Sequence, residues 1–333
     1  ELKSFNKKEI IEIKKSLIEI NRIAFFNSEK ELVKLKKLKL QQSKLESSNI
    51  YSLNKIYYLI EDCKKYGTLP FAGLARCGFI AIDLLNSFVE KKILTQEEKN
   101  KFLNTIDGIA TNINKDNSNK TKSNFLKKYG HLRPNTYDIT SLNYREGYSR
   151  YFDNTDKKKL HKKQTFIFSK LQVSKISRFL RNNKLNINFE KLIKFIKSSI
   201  YNREYAKFVF TKSIDLIFEN LIIFGKKHGI NRNDLAYIDI HTILDFHYSL
   251  DNSSIVSEIK DKIKRNKKTY FDNSLIQLPE TITSTNDLYY NYKSIDIGNF
   301  ITQKKIHAKP FFLKKNLDLK LIKVKIIFIE NAD

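Results

Sequence analysis

The chain has 333 residues, 41% of them apolar and 12% aromatic, enough to build one large or two ordinary domains around a buried core. No uninterrupted apolar run reaches the ~18 residues of a membrane-crossing helix, and the two cysteines, Cys63 and Cys77, form neither a C-x-x-C pair nor a disulfide framework. The formal charge of +26 comes mostly from lysines spread over nearly every segment, with no basic arm, helix-turn-helix, zinc finger or RNA-recognition motif. It reads as solvated surface rather than as a nucleic-acid groove.

In chain order, "KKEIIEIKKSLIEI" places Ile10, Ile13, Leu17 and Ile20 at three- and four-residue spacing, the pattern of an amphipathic helix. A lysine-rich helix is expected around Ser28 to Leu45 and another around Ser52 to Lys65. "YGTLPFAGLARCGFIAIDLLNSFVEKK" predicts a buried helix that opens at Thr68 with Pro70 in its first turn. Thr95, with a glutamate three residues on, marks a capping box for the next helix. Asn112 to Ser123 is polar and reads as a loop. A short helix then ends near Gly130, and a Tyr-rich irregular stretch runs to about Asp156. Helices are expected to resume near Thr165, Asn188 and Asn202, the last a nearly all-apolar core helix to Lys226, followed by one over Ser253 to Lys268. "FITQKKIHAKPFFL" and "LIKVKIIFIE" carry the alternation and β-branched content of strands. The expected fold is therefore mainly α, with a small β-containing C-terminal segment. A start at Glu1 without any methionine, an end just past a strand-like run and the lack of a secretory leader suggest a cytoplasmic fragment of a longer polypeptide.

Phosphate-loop, dinucleotide, zinc-protease and serine-hydrolase signatures are missing, and His241 and His247, six residues apart, do not share a helix face, so neither a catalytic residue nor a metal site is expected. Three constellations remain. In "KKYGHLRPNTYD", Lys127 and Lys128 suit the negative end of a helix, and Pro134 biases Arg133 towards extended backbone. The run is then a bend, or else an anion clamp in which Arg133 and His131 bind phosphate or carboxylate and Asp138 orients one of them. In "PFAGLARCGFIAID", Arg76 and Asp83 are the only charges in fourteen residues and stand roughly 10 Å apart along a helix, so a buried Arg76 would need another acidic partner or an anion. Along "NREYAKFVFTKSIDLIFEN", Arg203, Lys207, Thr211, Asp215 and Glu219 recur every four residues, as a solvated face or as the lining of a polar cleft.

These segments carry a family resemblance. "KKYGHLRPNTYDITSLNYRE" resembles the segment between the catalytic domains of phosphoenolpyruvate-synthase-like phosphotransferases, a group that includes pyruvate phosphate dikinase relatives and rifampicin phosphotransferases. "LPFAGLARCGFIA" and "REYAKFVFTKSIDLIFENL" resemble companion segments of that middle region, and "SIDIGNFITQKKIHA" with "KVKIIFIENAD" the lead-in to the swivelling phosphohistidine domain. The resemblance covers about Tyr66 to Asp333. It implies N-terminal helices linking from an ATP-grasp domain (1–65), a helical acceptor-substrate domain (66–295) and a β-leaning lead-in (296–333). It also implies ATP and Mg²⁺ as cofactors of the parent enzyme, bound outside this part, with the ATP-grasp and swivelling domains as partners and pyruvate or another small molecule as acceptor. Neither the ATP-grasp pattern nor the Gly-Gly-x-x-Ser-His relay pattern is found in the chain. Arg76, His131, Arg133, Asp138, Arg203 and Lys207 are the residues expected to bind phosphate or substrate, and at least two of Arg76, His131, Arg133, Arg203 and Lys207 are expected to share one cleft. The other reading is a non-catalytic basic helical scaffold or a nucleic-acid-binding module, without a membrane role.

Overall fold

Asn6 and Glu9 start the first helix by exchanging bonds. The Asn6 side chain accepts the Glu9 N–H at 3.0 Å, and the Glu9 carboxylate accepts the Asn6 N–H at 2.8 Å. From there α1 (Lys7–Glu46) runs for 40 residues. The two helices suggested by the sequence are thus one, since no proline or glycine interrupts them. The computed structural model describes residues 5–152, 165–247, 255–275, 281–288, 306–312 and 325–328. These fall into two compact units, 1–259 and 260–333.

In the first unit, α2 (Ser52–Cys63) passes through a π-helical turn, Lys64–Thr68, straight into α3 (Leu69–Glu90). The expected fresh start at Thr68 is not seen, for Thr68 has helical backbone and its side chain caps nothing. Pro70 explains the widened turn. It lacks an N–H and its ring crowds the preceding turn, and the ladder opens there, with the Leu69 N–H reaching back to the Lys64 carbonyl. Gly67 lies in this turn with Phe210 and Leu38 so close that a Cβ would come within 2.9 Å of the Phe210 Cβ. The expected domain boundary at 65/66 therefore lies inside a continuous helical run. That run is long and apolar enough to cross a membrane by composition alone, but Leu74, Cys77, Ala81, Leu84 and Leu85 are buried in the core and Arg76 and Asp83 are exposed.

The Thr95 capping box opens α4 (Gln96–Leu103), as its sequence predicts. The polar stretch expected to be a loop is instead α5 (Ile109–Asn119). Its cap comes from a distant helix, because the Glu204 carboxylate accepts the Ile109 N–H at 2.7 Å. Asp116 then ties it to its neighbour through Lys128 and Tyr129, both at 2.9 Å. After α6 (Lys122–Tyr129), the short α7 (Tyr148–Phe152) and α8 (Lys170–Asn182) comes α9 (Phe189–His228), 40 residues capped by Asn188 and ended by Gly229 at φ 69°. The helices expected at Asn188 and Asn202 are again one. The short α10 (Arg232–Leu235), α11 (Ile240–His247) and α12 (Ile255–Ser274) follow.

Helix α9 is the axis of the first unit, and α1, α2 and α3 pack along it. Leu35, Leu38, Cys63, Leu74, Ala206 and Phe210 form one core, and Cys77, Leu85, Phe88, Phe102, Leu180 and Ile196 are part of another. Helix α1 runs parallel to α9, with Phe25 on Phe195 and Gln42 donating to Ser213 at 2.8 Å, whereas α3 runs antiparallel, with Phe71 on Phe210 and Gly78 against Ser199. In the second unit, β1 (Lys309–Phe312) and β2 (Lys325–Phe328) form a parallel pair in which the Phe312 and Phe328 rings stack at 5.0 Å. The fold is mainly α with this one small sheet among the described residues. The boundary expected at 295/296 and most of the expected lead-in to a swivelling domain lie outside the described residues.

Candidate functional site

Gly130 ends α6, and the chain then folds back on itself. The Tyr144 N–H donates to the Leu132 carbonyl at 2.7 Å and the Arg145 N–H to the Gly130 carbonyl at 3.2 Å. This lays residues 131–146 along α9, around Asp215.

The Asp215 side chain is 1% exposed and receives three donors: the Arg133 Nη2, the Asn143 Nδ2 at 3.0 Å and the Arg145 Nη2 at 2.7 Å. Arg133 is 3% exposed. Its Nη1 donates to the carbonyls of Ser141 and Asp138 at 3.1 and 3.4 Å, and its plane sits 4.8 Å from the Phe218 ring. A buried ion pair survives desolvation when its remaining donors and acceptors are met in this way. Arg145 continues outwards. It is 42% exposed and also bonds Glu219 at 3.0 Å, whose carboxyl is pushed up by burial and by the neighbouring Asp215 charge. Arg232 fastens the loop from its other side, donating to the Ile139 and Ser141 carbonyls and pairing with Glu146 at 3.0 Å.

His131 is buried beside this centre. Its Nε2–H donates to the Phe208 carbonyl at 3.0 Å, since a carbonyl oxygen only accepts, and the ring packs against Phe208 at 4.8 Å. Burial pushes its pKa down to about 4, against smaller upward pulls from the Phe208 carbonyl and Asp215.

Of the residues chosen from sequence, His131, Arg133 and Asp138 come together here. The role expected of the Asp138 carboxylate is corrected. It bonds the Thr140 N–H and hydroxyl at 2.8 and 2.7 Å, and only its backbone carbonyl touches Arg133. Arg133 faces Asp215 inside the protein rather than an open cleft. Arg76, Arg203 and Lys207 stand apart and exposed. Arg76 lines a ≈ 200 Å³ cleft between α1 and α3 with Ile20, Ile23 and Glu31, so the argument for a buried partner does not apply to it. Arg203 lies over the Phe79 ring at 5.1 Å. The four-residue stripe splits because each step of four advances ~40° round a helix. Arg203 and Lys207 reach solvent, Thr211 and Asp215 are buried, and Glu219 is intermediate.

Asn143, Arg145, Glu146 and Arg232 escaped the sequence reading. The only signal was the density of charge in "NYRE". No His, Cys, Asp or Glu group among the described residues is disposed to hold a metal ion. No family model, curated protein or solved structure matches the chain.

Proposed function

We propose that this chain is the helical middle region of a phosphoenolpyruvate-synthase-like phosphotransferase, in which it connects an ATP-grasp domain to a swivelling phosphohistidine domain and shapes the acceptor site. The observation that carries this reading is the meeting of two resemblance-bearing segments, 127–146 and 203–221, around Asp215. Asp215, Arg133 and Asn143 are the frame. Arg145, held by this frame, is the residue that an anionic acceptor or a transferring phosphoryl group can reach, since it is 42% exposed. Such transfer depends on positioning and on neutralising charge, which a guanidinium held in place by the Asp215 and Glu219 carboxylates performs without reorganising. ATP and Mg²⁺ would sit on the nucleotide-binding domain, and no step involving them falls on the described residues.

The polypeptide encoded by the whole gene tests this. Incubation with [β-³²P]ATP or labelled phosphoenolpyruvate should place acid-labile label on a histidine outside residues 1–333, and the label should pass to pyruvate or another small acceptor. An open reading frame without an ATP-grasp domain upstream and a Gly-Gly-x-x-Ser-His segment downstream overturns the reading.

A second reading, a non-catalytic helical scaffold, is favoured by one observation: Arg133 and Asp215 satisfy each other inside the fold. In its nucleic-acid-binding form it requires binding to a defined duplex that survives about 0.2 M salt, where dispersed phosphate contacts have weakened by orders of magnitude.

A further inference from the structure

We infer that the N-terminal half of α1 is a self-association surface that pairs, in parallel, with the same helix of a second copy of this chain. Eighteen residues are five whole turns of an α-helix, so Leu17 and Ile20 point the same way as Leu35 and Leu38. Leu35 and Leu38 are 1% and 0% exposed beneath the other helices, whereas Leu17 and Ile20 are 53% and 42% exposed. The face is thus one face, covered in one half and bare in the other. The cover ends near Ala24, whose carbonyl lies 3.8 Å from the Cys77 Sγ, and Phe25, which packs edge-on against Phe195.

The spacing along the bare half says what covers it. Ile10, Ile13, Leu17 and Ile20 alternate in steps of three and four, two heptads of a coiled-coil seam about 21 Å long that ends where Ala24 is buried. With Ile10 and Leu17 in the first core position and Ile13 and Ile20 in the second, Glu9 and Lys14 occupy the flanking positions. In a parallel, in-register pair Glu9 of one copy faces Lys14 of the other, on both sides of the two-fold axis. An antiparallel pair offers no such match. Glu9, Glu12 and Glu19 among the lysines of this half also oppose an anionic lipid surface, which attracts helices whose polar face is predominantly basic. Two heptads are few, so the dimer is a weak one.

Sedimentation equilibrium of the chain over a wide concentration range should show a reversible monomer–dimer equilibrium. Leu17→Glu, at an exposed position, should leave the circular dichroism and melting curve unchanged and abolish the dimer, and Lys14→Glu should weaken it several-fold. Ile13→Cys, with diamide as oxidant, should give a disulfide-linked dimer, because core positions of parallel in-register helices lie opposite their own copies. A wild-type chain that stays monomeric throughout, or a dimer that survives Leu17→Glu, overturns the inference. A dimer that Ile13→Cys fails to cross-link overturns the parallel arrangement. Loss of the dimer alongside binding to vesicles containing one-quarter phosphatidylserine would assign the face to lipid instead.

Discussion

Arg145 and Asp215 are seventy positions apart in the chain and 2.7 Å apart in the fold. Their pairing is only the outer half of an arrangement whose inner half is Arg133. The carboxylate takes a fully buried guanidinium on one oxygen and a half-exposed one on the other, so the two arginines should differ in what they contribute.

That difference is measurable as stability. Asp215→Ala leaves Arg133 buried and unpaired and should cost roughly 3–5 kcal/mol. Arg145→Ala removes a partner that water can partly replace, and should cost about 1 kcal/mol or less. Replacing Arg133 and Asp215 together by Met and Leu should recover most of the loss. Urea unfolding of the four proteins decides the matter. Equal losses for Asp215→Ala and Arg145→Ala would mean that Arg133 is not held by Asp215.

His131 should make the fold acid-sensitive in a defined window. Its folded pKa, about 4, lies below the ordinary 6.5 because burial favours the neutral ring. Unfolding therefore takes up a proton between these values. The stabilisation is fully present above pH 6.5 and declines as pH falls towards 4, by roughly 3 kcal/mol in all at ~1.36 kcal/mol per pH unit. Asp116, held down to about 2 by its bonds from Lys128, Lys120 and Tyr129 despite its desolvation, loses its contribution only at lower pH. Denaturation at pH 7 and pH 4.5 should show the decline, and His131→Gln, which keeps a donor for the Phe208 carbonyl, should flatten it. An unchanged slope in that variant would assign the acid sensitivity elsewhere.

Much of the fold was legible because its signals are local. Thr95 with Glu98 marked a helix start, and the apolar density of 202–226 marked the central helix. What was missed depends on partners remote in sequence. Asn and Ser are weak helix formers, so 112–119 reads as a loop until Glu204 caps it. The site was half legible. "KKYGHLRPNTYD" and Asp215 were both singled out, yet nothing local says that Arg133 turns inwards to meet that carboxylate. The stripe from Arg203 to Glu219 drifts by ~40° at each step, but nothing local says at which step it passes from solvent into the core.

The missed helix gives its own test. Glu204→Ala removes the acceptor for the Ile109 N–H and should cost about 1 kcal/mol, as loss of a helix cap does. Hydrogen exchange should quicken at the first turn of α5 and leave α9 protected. Unchanged exchange at Ile109 to Asn112 would show that α5 does not depend on this cap.

The proposed function is tested most sharply by comparing the two arginines in the complete polypeptide. Phosphorylation of a relay histidine and its discharge to the acceptor are separable half-reactions, and the first would be performed by domains outside this chain. Arg145→Ala should leave the first half-reaction and the melting temperature nearly unchanged. It should slow the second by a factor of about 10²–10³, the usual effect of removing one donor aimed at developing charge. Arg145→Lys should recover part of that loss, since lysine keeps the charge without the planar fork that spans two acceptors. Arg133→Ala should behave otherwise. It strips Asp215 of its buried partner, lowers the melting temperature and reduces both half-reactions in proportion to folded protein. If Arg145→Ala also reduces both equally, the Asp215 centre only pins residues 131–146 to α9. If Arg145→Ala has no effect on either, the acceptor binds elsewhere and the centre has no part in transfer.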